Sequence, residues 1–272
     1  MSLQNTRLII FTDLDGCLLN KQDYDWSAAR PTLERLRQLQ IPVVMNSSKT
    51  VAEMTLLACE LGLNRSTFIC ENGSVIRWGS DVADGPSVEV NSPYVEVVGS
   101  PRESILRLLA EVKTQFSFDS FADLGLSGVM AATQLSESRA QLALQRQGTE
   151  PLLWNDTEAK RIAFAHQLHL HDLTMTKGGR FWHVAGQSTK GKAMQMVTSR
   201  MAPRPASTLV AAIGDSPIDQ SMLDIADVPI GIPTATGLAV TVCSEAGIVP
   251  LQQGSAGWAE AVSVLLRRME FT

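Results

Sequence analysis

Short apolar runs recur along the first third of the chain, and each is followed by polar residues and then by an amphipathic stretch. Apolar runs that end in turn residues are typical of strands buried in a parallel sheet. The runs lie at 9–11, 41–45 and 68–70. Between them, apolar residues recur at helical spacing, as from Val51 to Leu61. Strand–helix–strand–helix–strand in this order predicts a parallel sheet with right-handed crossovers.

The last third of the chain returns to this pattern, with a near-continuous apolar run at 209–213 between amphipathic stretches. In the middle of the chain, strands and helices are mixed without the same order, which indicates an inserted α+β domain. We therefore predict an α/β protein with a Rossmann-like parallel sheet as its core and an inserted α+β cap domain. The predicted ranges are 1–83 and 187–272 for the core and 84–186 for the cap.

Composition limits the class of protein. The 272 residues suffice for one or two domains with an ample core. The net charge of −5 argues against nucleic acid or an anionic membrane as the main partner. The four cysteines show no paired metal-ligand spacing. Four scattered cysteines in a chain of this size are more typical of a reduced cytoplasm than of a disulfide framework. No apolar run could span a membrane, and a strand begins too early to leave room for a signal peptide, so we expect a cytoplasmic protein.

Two aspartates, Asp13 and Asp15, directly follow the first apolar run. Open α/β sheets bind ligands at the carboxyl ends of their strands, and residues two apart in an extended chain point the same way. One carboxylate could attack phosphorus, while the other could protonate the leaving oxygen and then deprotonate water. Two anions beside a phosphate require a hard cation, most simply Mg²⁺. The competing interpretation is a polar loop or a helix cap.

Complementary polar residues follow the other strand ends. Ser47 and Ser48 precede a predicted helix, where hydroxyl and backbone N–H groups suit a phosphate. Lys190, at a later helix start, gives a compact positive charge, and Asp215 and Asp219 offer oxygen ligands for a metal. Each has a plain structural alternative, namely a helix cap for Ser47, a solvated lysine for Lys190 and a turn residue for Asp215. Together, in this order, they indicate a site for phosphate and metal.

These residues resemble the four motifs of the haloacid dehalogenase (HAD) superfamily of phosphohydrolases. The matching residues are Asp13-Leu14-Asp15-Gly16, Ser47, Lys190, and Gly214-Asp215 with Asp219. The resemblance implies that Asp13 is the nucleophile and Asp15 the general acid/base. It implies that Ser47 and Lys190 bind the transferring phosphoryl group. It also implies Mg²⁺ held by Asp13, the backbone carbonyl of Asp15 and Asp215, with Asp219 supporting the site.

Further segments resemble the mannosyl-3-phosphoglycerate phosphatase family within that superfamily. They lie at 46–50, 71–73 and 179–183, and in the insert at 118–124 and 145–151. Relatives that act on glucosyl-3-phosphoglycerate share much of this pattern. The chain departs from it at two positions. Ile218 replaces the usual asparagine of motif four, which removes one polar contact near the metal, and Cys17 replaces the commoner threonine.

A phosphoglycerate ester carries a carboxylate as well as a phosphate, so a second set of cations is expected. Lys49 and Arg180 are the candidates, because Arg offers a planar fork that suits a carboxylate. The alternative role of Lys49 is to neutralise a nearby carboxylate of the protein. Trp182 and His183 are interpreted as packed side chains. The hydroxyl groups of a sugar suit the polar residues Glu71, Asn72, Arg146 and Glu150.

The expected function is a Mg²⁺-dependent phosphatase that converts a glycosyl-3-phosphoglycerate, such as mannosyl-3-phosphoglycerate, to the glycosylglycerate and phosphate through an aspartyl-phosphate. A general sugar-phosphate phosphatase and a phosphomutase of the superfamily stay open as alternatives. So does a non-catalytic sensor of a phosphorylated metabolite, although the intact set of Asp13, Asp15, Lys190 and Asp215 argues against it. The expected partner is the small-molecule phosphorylated sugar-glycerate. The identity of the sugar and the oligomeric state are left open.

Overall fold

The computed structural model describes residues 7–80, 94–202 and 208–270. At its centre lies a parallel sheet of four strands, which are β1 (Arg7–Thr12), β2 (Val43–Met45), β10 (Thr208–Gly214) and β11 (Val228–Gly231). Their order is β11-β10-β1-β2, so that β1 is a central strand. The predicted α/β class with a parallel sheet is confirmed.

Helices cover both faces of this sheet, which explains why β1 is apolar without alternation. Leu8 and Ile10 of β1 pack on one face with three helices, while Ile9 and Phe11 pack on the other face with two. The first group of helices is α1 (Arg30–Gln38), α2 (Val51–Glu60) and α9 (Gly254–Arg268). The second group is α7 (Lys190–Met201) and α8 (Gln220–Leu223). Successive side chains of β1 therefore pack into apolar layers on opposite faces of the sheet.

An antiparallel extension continues the sheet beyond β2. It consists of β3 (Phe68–Cys70), β4 (Val75–Trp78) and β5 (Tyr94–Val97). The Ser47 amide donates to the Ile69 carbonyl at 3.0 Å, which sets β3 beside β2. Because β5 pairs with β4, residues 94–97 lie with the core, although the sequence assigned them to the cap. The predicted boundary between residues 83 and 84 falls outside the described residues.

The Asn-Gly turn after β3 brings the core sheet against the start of α7. Asn72 and Gly73 both have positive φ, 57° and 97°. A Cβ atom at residue 73 would lie 2.2 Å from the Thr189 carbonyl oxygen, so only glycine fits this approach. The turn therefore fixes β3 and β4 beside the residue that precedes Lys190.

The inserted segment forms an α+β unit around an antiparallel sheet with the order β6-β7-β9-β8. The strands are β6 (Phe118–Ser120), β7 (Thr149–Trp154), β8 (Leu173–Lys177) and β9 (Trp182–Gly186). One face of the sheet packs against α3 (Arg102–Val112) and α6 (Glu158–His169). A separate apolar cluster joins α4 (Phe121–Thr133) and α5 (Glu137–Ala143). In the part of the chain that the structure describes, no helix has the length and apolar character to cross a bilayer.

Candidate active site

A buried ion network lies at the carboxyl ends of β1 and β10. Lys190 is the first residue of α7, whose start is capped by the Thr189 side chain, which accepts from the Lys192 amide at 3.1 Å. The Lys190 ammonium lies 2.5 Å from Asp13 Oδ1 and 2.6 Å from Asp219 Oδ1. All three charged side chains are buried. The structure thus brings together three of the predicted residues, two carboxylates around one ammonium group.

Burial and neighbouring charges set the proton affinities here. The pKa of Asp13 is raised to about 7, mainly by burial; Lys190 lowers it, and Asp219 and Asp15 raise it. Burial is also the largest influence on the pKa of Lys190 and lowers it, but the attraction of Asp13 and Asp219 outweighs burial and raises that pKa. Burial raises the pKa of Asp215, and the charge of Asp219 raises it further. These carboxylates outnumber the buried cation among them, Lys190, and a further positive charge there would relieve their repulsion.

Asp219 supports the loop after β10. Its Oδ2 atom accepts from the Asp215 amide at 3.2 Å, from the Ser216 amide at 3.0 Å and from the Ser216 hydroxyl at 2.8 Å. Its Oδ1 atom is held by Lys190. Since both oxygens are engaged, Asp219 positions Asp215 and Lys190 and is not oriented as a direct metal ligand. This geometry corrects the direct ligand role and agrees with the supporting role implied by the resemblance.

Two carboxylates and a thiol face one another beside this network. Ligand atoms of Asp13, Cys17 and Asp215 all lie within 4.8 Å of one another. Gly16 permits this approach, because its φ is +100° and a Cβ atom there would lie 2.4 Å from Asp215 Oδ2. Burial raises the pKa of the Cys17 thiol well above its usual value, so the sulfur stays protonated and is a poor ligand. The hard donors of the cluster are the oxygens of Asp13 and Asp215.

The side chain of Asp15 is turned toward Lys49. The Lys49 ammonium lies 2.6 Å and 2.9 Å from the two carboxylate oxygens of Asp15, which is 32% exposed. The ring centroid of Tyr24 lies 5.1 Å from the same ammonium. The alternative interpretation of Lys49, as the partner of a nearby carboxylate, is therefore what the structure shows. The Asp15 side chain is not among the clustered donors, so a metal role for this residue rests on its backbone carbonyl.

The serines of the second motif are oriented differently from the prediction. Ser47 is buried, and its amide is already used by the Ile69 carbonyl, which leaves its hydroxyl as the group available to a phosphate. Ser48 offers its carbonyl to Arg146 at 3.0 Å. The helix α2 begins only at Val51, after a capping box formed by Thr50 and Glu53. The expectation that both serines present backbone N–H groups at a helix start is thus corrected for Ser47.

Glu71 joins the core to the cap. One oxygen accepts from the Gln147 amide at 2.8 Å, and the other accepts from the Gly148 amide at 3.1 Å and the Thr149 hydroxyl at 2.7 Å. Arg146 lies 3.6 Å from the same carboxylate. Glu71 is fully buried, so the predicted role in binding a sugar is corrected: its oxygens are already occupied by the protein. Arg146 is likewise engaged, with Thr149 at 2.8 Å as well as Ser48.

Two other predicted substrate residues have partners within the cap. Glu150 is fully buried, accepts from the Arg102 guanidinium at 2.6 Å and accepts from the Ala122 amide at 2.7 Å at the start of α4. This corrects its predicted contact with sugar hydroxyls. Arg180 is exposed and donates to the Ala132 carbonyl near the end of α4. In this conformation its guanidinium is directed at the cap itself.

Asn72 differs from these residues. Its side chain is 9% exposed, and within the described ranges neither its Oδ1 nor its Nδ2 atom has a hydrogen-bond partner. Buried amides in folded proteins are nearly always hydrogen-bonded, so Asn72 has a donor and an acceptor to offer to a ligand. Of the four polar residues that the sequence assigned to a sugar, Asn72 alone keeps both of its polar atoms unengaged.

Sequence reasoning did not identify two neighbours of the site, Lys21 and Thr50, and gave no role to a third, Cys17. Lys21 lies 3.6 Å from Asp215, and Thr50 donates from its hydroxyl to the Leu142 carbonyl of the cap at 2.9 Å. Cys17, which the sequence marks only as a replacement for the commoner threonine, faces the two donor carboxylates. The only signal for Lys21 is its position in the polar segment after β1. The contact of Thr50 joins residues 92 apart in the chain, and no local pattern encodes it.

Comparison with known proteins agrees with this geometry. The profile of the haloacid dehalogenase-like hydrolases matches residues 10–90. A Persephonella marina protein named glucosyl-3-phosphoglycerate/mannosyl-3-phosphoglycerate phosphatase is 33% identical over 269 residues, which cover 97% of this chain and 98% of the relative. A solved haloacid dehalogenase-like hydrolase from B. subtilis is similar with a TM-score of 0.62 at 17% identity, covering 95% of this chain and 99% of that one.

A second solved structure extends the likeness. A Bacteroides thetaiotaomicron protein, described among phosphatases of the haloalkanoate (HAD) enzyme superfamily, matches with a TM-score of 0.63 at 12% identity. The match covers 99% of this chain and 97% of that one, so it includes the inserted segment as well as the parallel sheet. At this identity the likeness concerns the fold, while the Persephonella marina relative is similar in sequence along both parts. This chain belongs to the haloacid dehalogenase-like hydrolases.

Proposed function

We propose that this chain is a Mg²⁺-dependent phosphatase that hydrolyses a glycosyl-3-phosphoglycerate to the glycosylglycerate and phosphate. The observation that carries the proposal is the Asp13–Lys190–Asp219 network in a chain whose whole length matches a relative named for this activity. The likeness to this relative spans the cap as well as the core. Gln147 and Thr149 of the cap bind Glu71 of the core, which holds the cap beside the site. The cytoplasmic location stays a prediction from the sequence.

Asp13 is the nucleophile in this proposal. A carboxylate oxygen of Asp13 forms a bond to phosphorus as the bond to the glycerate oxygen breaks, and Asp15 gives its proton to that oxygen. Asp15 then takes a proton from water, whose oxygen attacks phosphorus and releases Asp13. Lys190, 2.5 Å from Asp13, is placed to neutralise charge on the phosphoryl group, with the Ser47 hydroxyl as a further donor.

The donor set suits Mg²⁺. Two buried carboxylates with raised pKa values, beside a thiol that stays protonated, form an oxygen site that a hard cation prefers. Asp13 and Asp215 would hold the ion, together with the backbone carbonyl of Asp15. When bound, the ion supplies positive charge that offsets the repulsion between these carboxylates and the phosphate.

The glycerate carboxylate would bind Lys49, which is already placed beside Asp15. Lys49 is a suitable cation, because the attraction of Asp15 keeps its pKa raised even though burial lowers it. Arg180 is a second candidate for this carboxylate if its guanidinium leaves Ala132. In this proposal Glu71, Arg146 and Glu150 shape the site from within the protein and do not touch the substrate.

A substrate panel tests the proposal. We expect phosphate release in Mg²⁺ to be at least about 100-fold faster in kcat/KM for glucosyl- or mannosyl-3-phosphoglycerate than for 3-phosphoglycerate, because polar groups of the site need the sugar as a partner. Equal, weak release from hexose phosphates as well would identify a general sugar-phosphate phosphatase. Return of phosphate to the substrate without net release would identify a mutase. Binding of these esters without any turnover would identify a sensor.

Thermal unfolding tests the binding of the metal independently of enzymatic activity. We expect Mg²⁺ at about 100 times its Kd to raise the melting temperature by about 5 °C or more, because an ion that binds only the folded state stabilises it by mass action. The Asp215→Asn variant should lose this rise, since it removes one of the two hard donors. Asp156→Asn, which changes the same charge in the cap, is the matched control and should keep it. A rise of equal size in both variants would contradict the site.

A further inference from the structure

The cap sheet has one packed face and one face that meets the core. On the packed face, Trp182 and Val184 of β9 lie with the helices α3 and α6. Side chains alternate along a strand, so His183 lies on the opposite face. Its direct partners across the sheet are Pro151 of β7 and Thr176 of β8. His183 is therefore outside the apolar core of the cap.

The face that carries His183 is the one directed at the catalytic core. Thr149 lies two residues before Pro151 in β7 and so points to the same face as His183. The Thr149 hydroxyl donates to Glu71 of the core at 2.7 Å and accepts from Arg146 at 2.8 Å. His183 is thus a neighbour, across the sheet, of the contact that joins cap and core.

Arg146 connects this face to the phosphate motif. Its guanidinium reaches the Ser48 carbonyl, next to Ser47, at 3.0 Å. The pKa of His183 is lowered to about 3, chiefly by burial. The positive charge of the nearby Arg146 guanidinium lowers it further. The imidazole is therefore neutral at physiological pH, with one nitrogen that donates and one that accepts.

Two residues near the Glu71–Arg146 contact, one next to Glu71 in sequence and one next to Thr149 across the cap sheet, have buried polar atoms without partners in the described part of the chain. Within the described residues, His183 Nδ1 has no hydrogen-bond partner, and neither do Oδ1 and Nδ2 of Asn72. Asn72 directly follows Glu71 on the core side, and His183 lies on the cap side. A neutral imidazole and an amide can each donate and accept, which suits hydroxyl groups better than it suits a phosphate or a carboxylate.

We propose that His183 of the cap and Asn72 of the core form a subsite that binds hydroxyl groups of the sugar, and that His183 determines specificity for a glycosylated substrate. This inference rests on the proposed function, and it replaces the interpretation of His183 as a merely packed side chain. The subsite is assembled from both parts of the chain, so it is complete only while Glu71 holds the cap against the core. A substrate without a sugar leaves both side chains unpartnered.

The hairpin between β8 and β9 offers a way to move the imidazole without removing it. A Cβ atom at Gly178 would lie 2.7 Å from His183 Nε2, whereas a Cβ atom at Gly179 would meet nothing within 4 Å. Gly178→Ala should therefore displace the ring. Gly179→Ala makes the same chemical change one residue later and is the matched control.

The test compares His183→Phe, which keeps a ring without polar atoms, with His183→Gln, which keeps hydrogen bonding. We expect His183→Phe to lower the ratio of kcat/KM for the glycosylated ester over that for 3-phosphoglycerate by about 10- to 100-fold, through KM. Gly178→Ala should lower this ratio in the same direction, His183→Gln should recover part of it, and Gly179→Ala should not change it. An unchanged ratio in His183→Phe, with both substrates affected equally, would overturn the inference.

A binding measurement separates this inference from the proposed function. Calorimetry with the Asp13→Asn variant and the glycosylglycerate product, which has no phosphate, reports on the contacts of the sugar and the glycerate. Because the glycerate is the same in every measurement, the change on removing the His183 imidazole reports on the sugar subsite. We expect the product to bind, and the Asp13→Asn/His183→Phe double variant to bind it about 10- to 100-fold more weakly. If the wild-type chain shows no preference for glycosylated esters but His183 governs this binding, the proposed function fails and the subsite stands. Absence of product binding, or equal binding by both variants, overturns the subsite.

Discussion

Replacing Asp13 by asparagine is expected to lower phosphate release by at least about 10⁴-fold, because the amide is a poor nucleophile and cannot form the phosphoryl bond. The loss should fall on kcat for every phosphate ester, including esters with good leaving groups. Steady-state phosphate release in Mg²⁺ measures it. Lys190 keeps its contact of 2.6 Å with Asp219 in this variant, so the fold should persist.

Two further variants serve as controls, one for the loss of a negative charge and one for the loss of the proton donor. Asp23→Asn changes an exposed carboxylate in the loop after β1 and should leave the rate near that of the wild type. Asp15→Asn should slow esters with poor leaving groups most, because it removes the proton donor but keeps the nucleophile. Turnover by Asp13→Asn near the wild-type rate would contradict the mechanism.

The Glu71→Ala substitution is expected to lower the free energy of unfolding by about 3–5 kcal/mol. It leaves Arg146 as a buried cation without its carboxylate, and it removes the acceptor from the amides of Gln147 and Gly148. Urea unfolding followed by tryptophan fluorescence measures the loss. The cost is large because Glu71 is fully buried and its carboxylate contacts Gln147, Gly148, Thr149 and Arg146 across the junction of core and cap.

The matched control is Glu158→Ala, which also removes a glutamate that pairs with an arginine. The Glu158 side chain is 69% exposed, so solvent screens its pair with Arg161 and the loss of this pair should change the stability little. A cost for Glu71→Ala no larger than that for Glu158→Ala would show that the core–cap contact does not stabilise the fold. Replacing Glu71 and Arg146 together by neutral residues should cost less than the two single losses combined, because no buried charge is then left unpaired.

The parallel core could be predicted because its signals are local. The strands β1, β2 and β10 each contain a continuous apolar run. The polar residues of a motif follow directly after each strand. The turn at Asn72 and the start of α7 at Lys190 could be predicted for the same reason, since short sequence patterns determine them.

Elements of the cap were harder to predict. The helix α4 was not predicted, because Gly125, with a φ of +56°, interrupts it and Gly128 lies within it. The strands β5 and β8 were not predicted either. They are only four and five residues long and mostly half-buried or exposed, so their apolar residues give a weak signal. Their positions follow from pairing with β4 and β9, which a single short segment does not encode.

The misassigned substrate residues share one cause. Glu71, Arg146 and Glu150 are polar residues in segments that resemble a family, and the sequence alone does not say whether a carboxylate faces a ligand or another part of the chain. One partner of Glu71, the Gln147 amide, lies 76 residues away in the sequence. A local sequence pattern cannot predict a contact over that separation. His183 shows the reverse case: the sequence indicates a packed side chain, and the structure reveals a buried nitrogen without a partner in the described ranges. For Asn72, which the sequence assigns to a sugar, the structure likewise leaves both polar atoms unpartnered among the residues that it describes.

The most direct test of the central claim is to look for a phosphoryl group on Asp13. Wild-type protein is mixed with glucosyl- or mannosyl-3-phosphoglycerate and Mg²⁺, quenched rapidly in acid and digested for mass spectrometry. The account predicts a peptide that contains Asp13 and carries the added mass of one phosphoryl group, which is absent from Asp13→Asn. Release of phosphate at the full steady-state rate with no such adduct at any quench time, or an adduct on another residue, would contradict it.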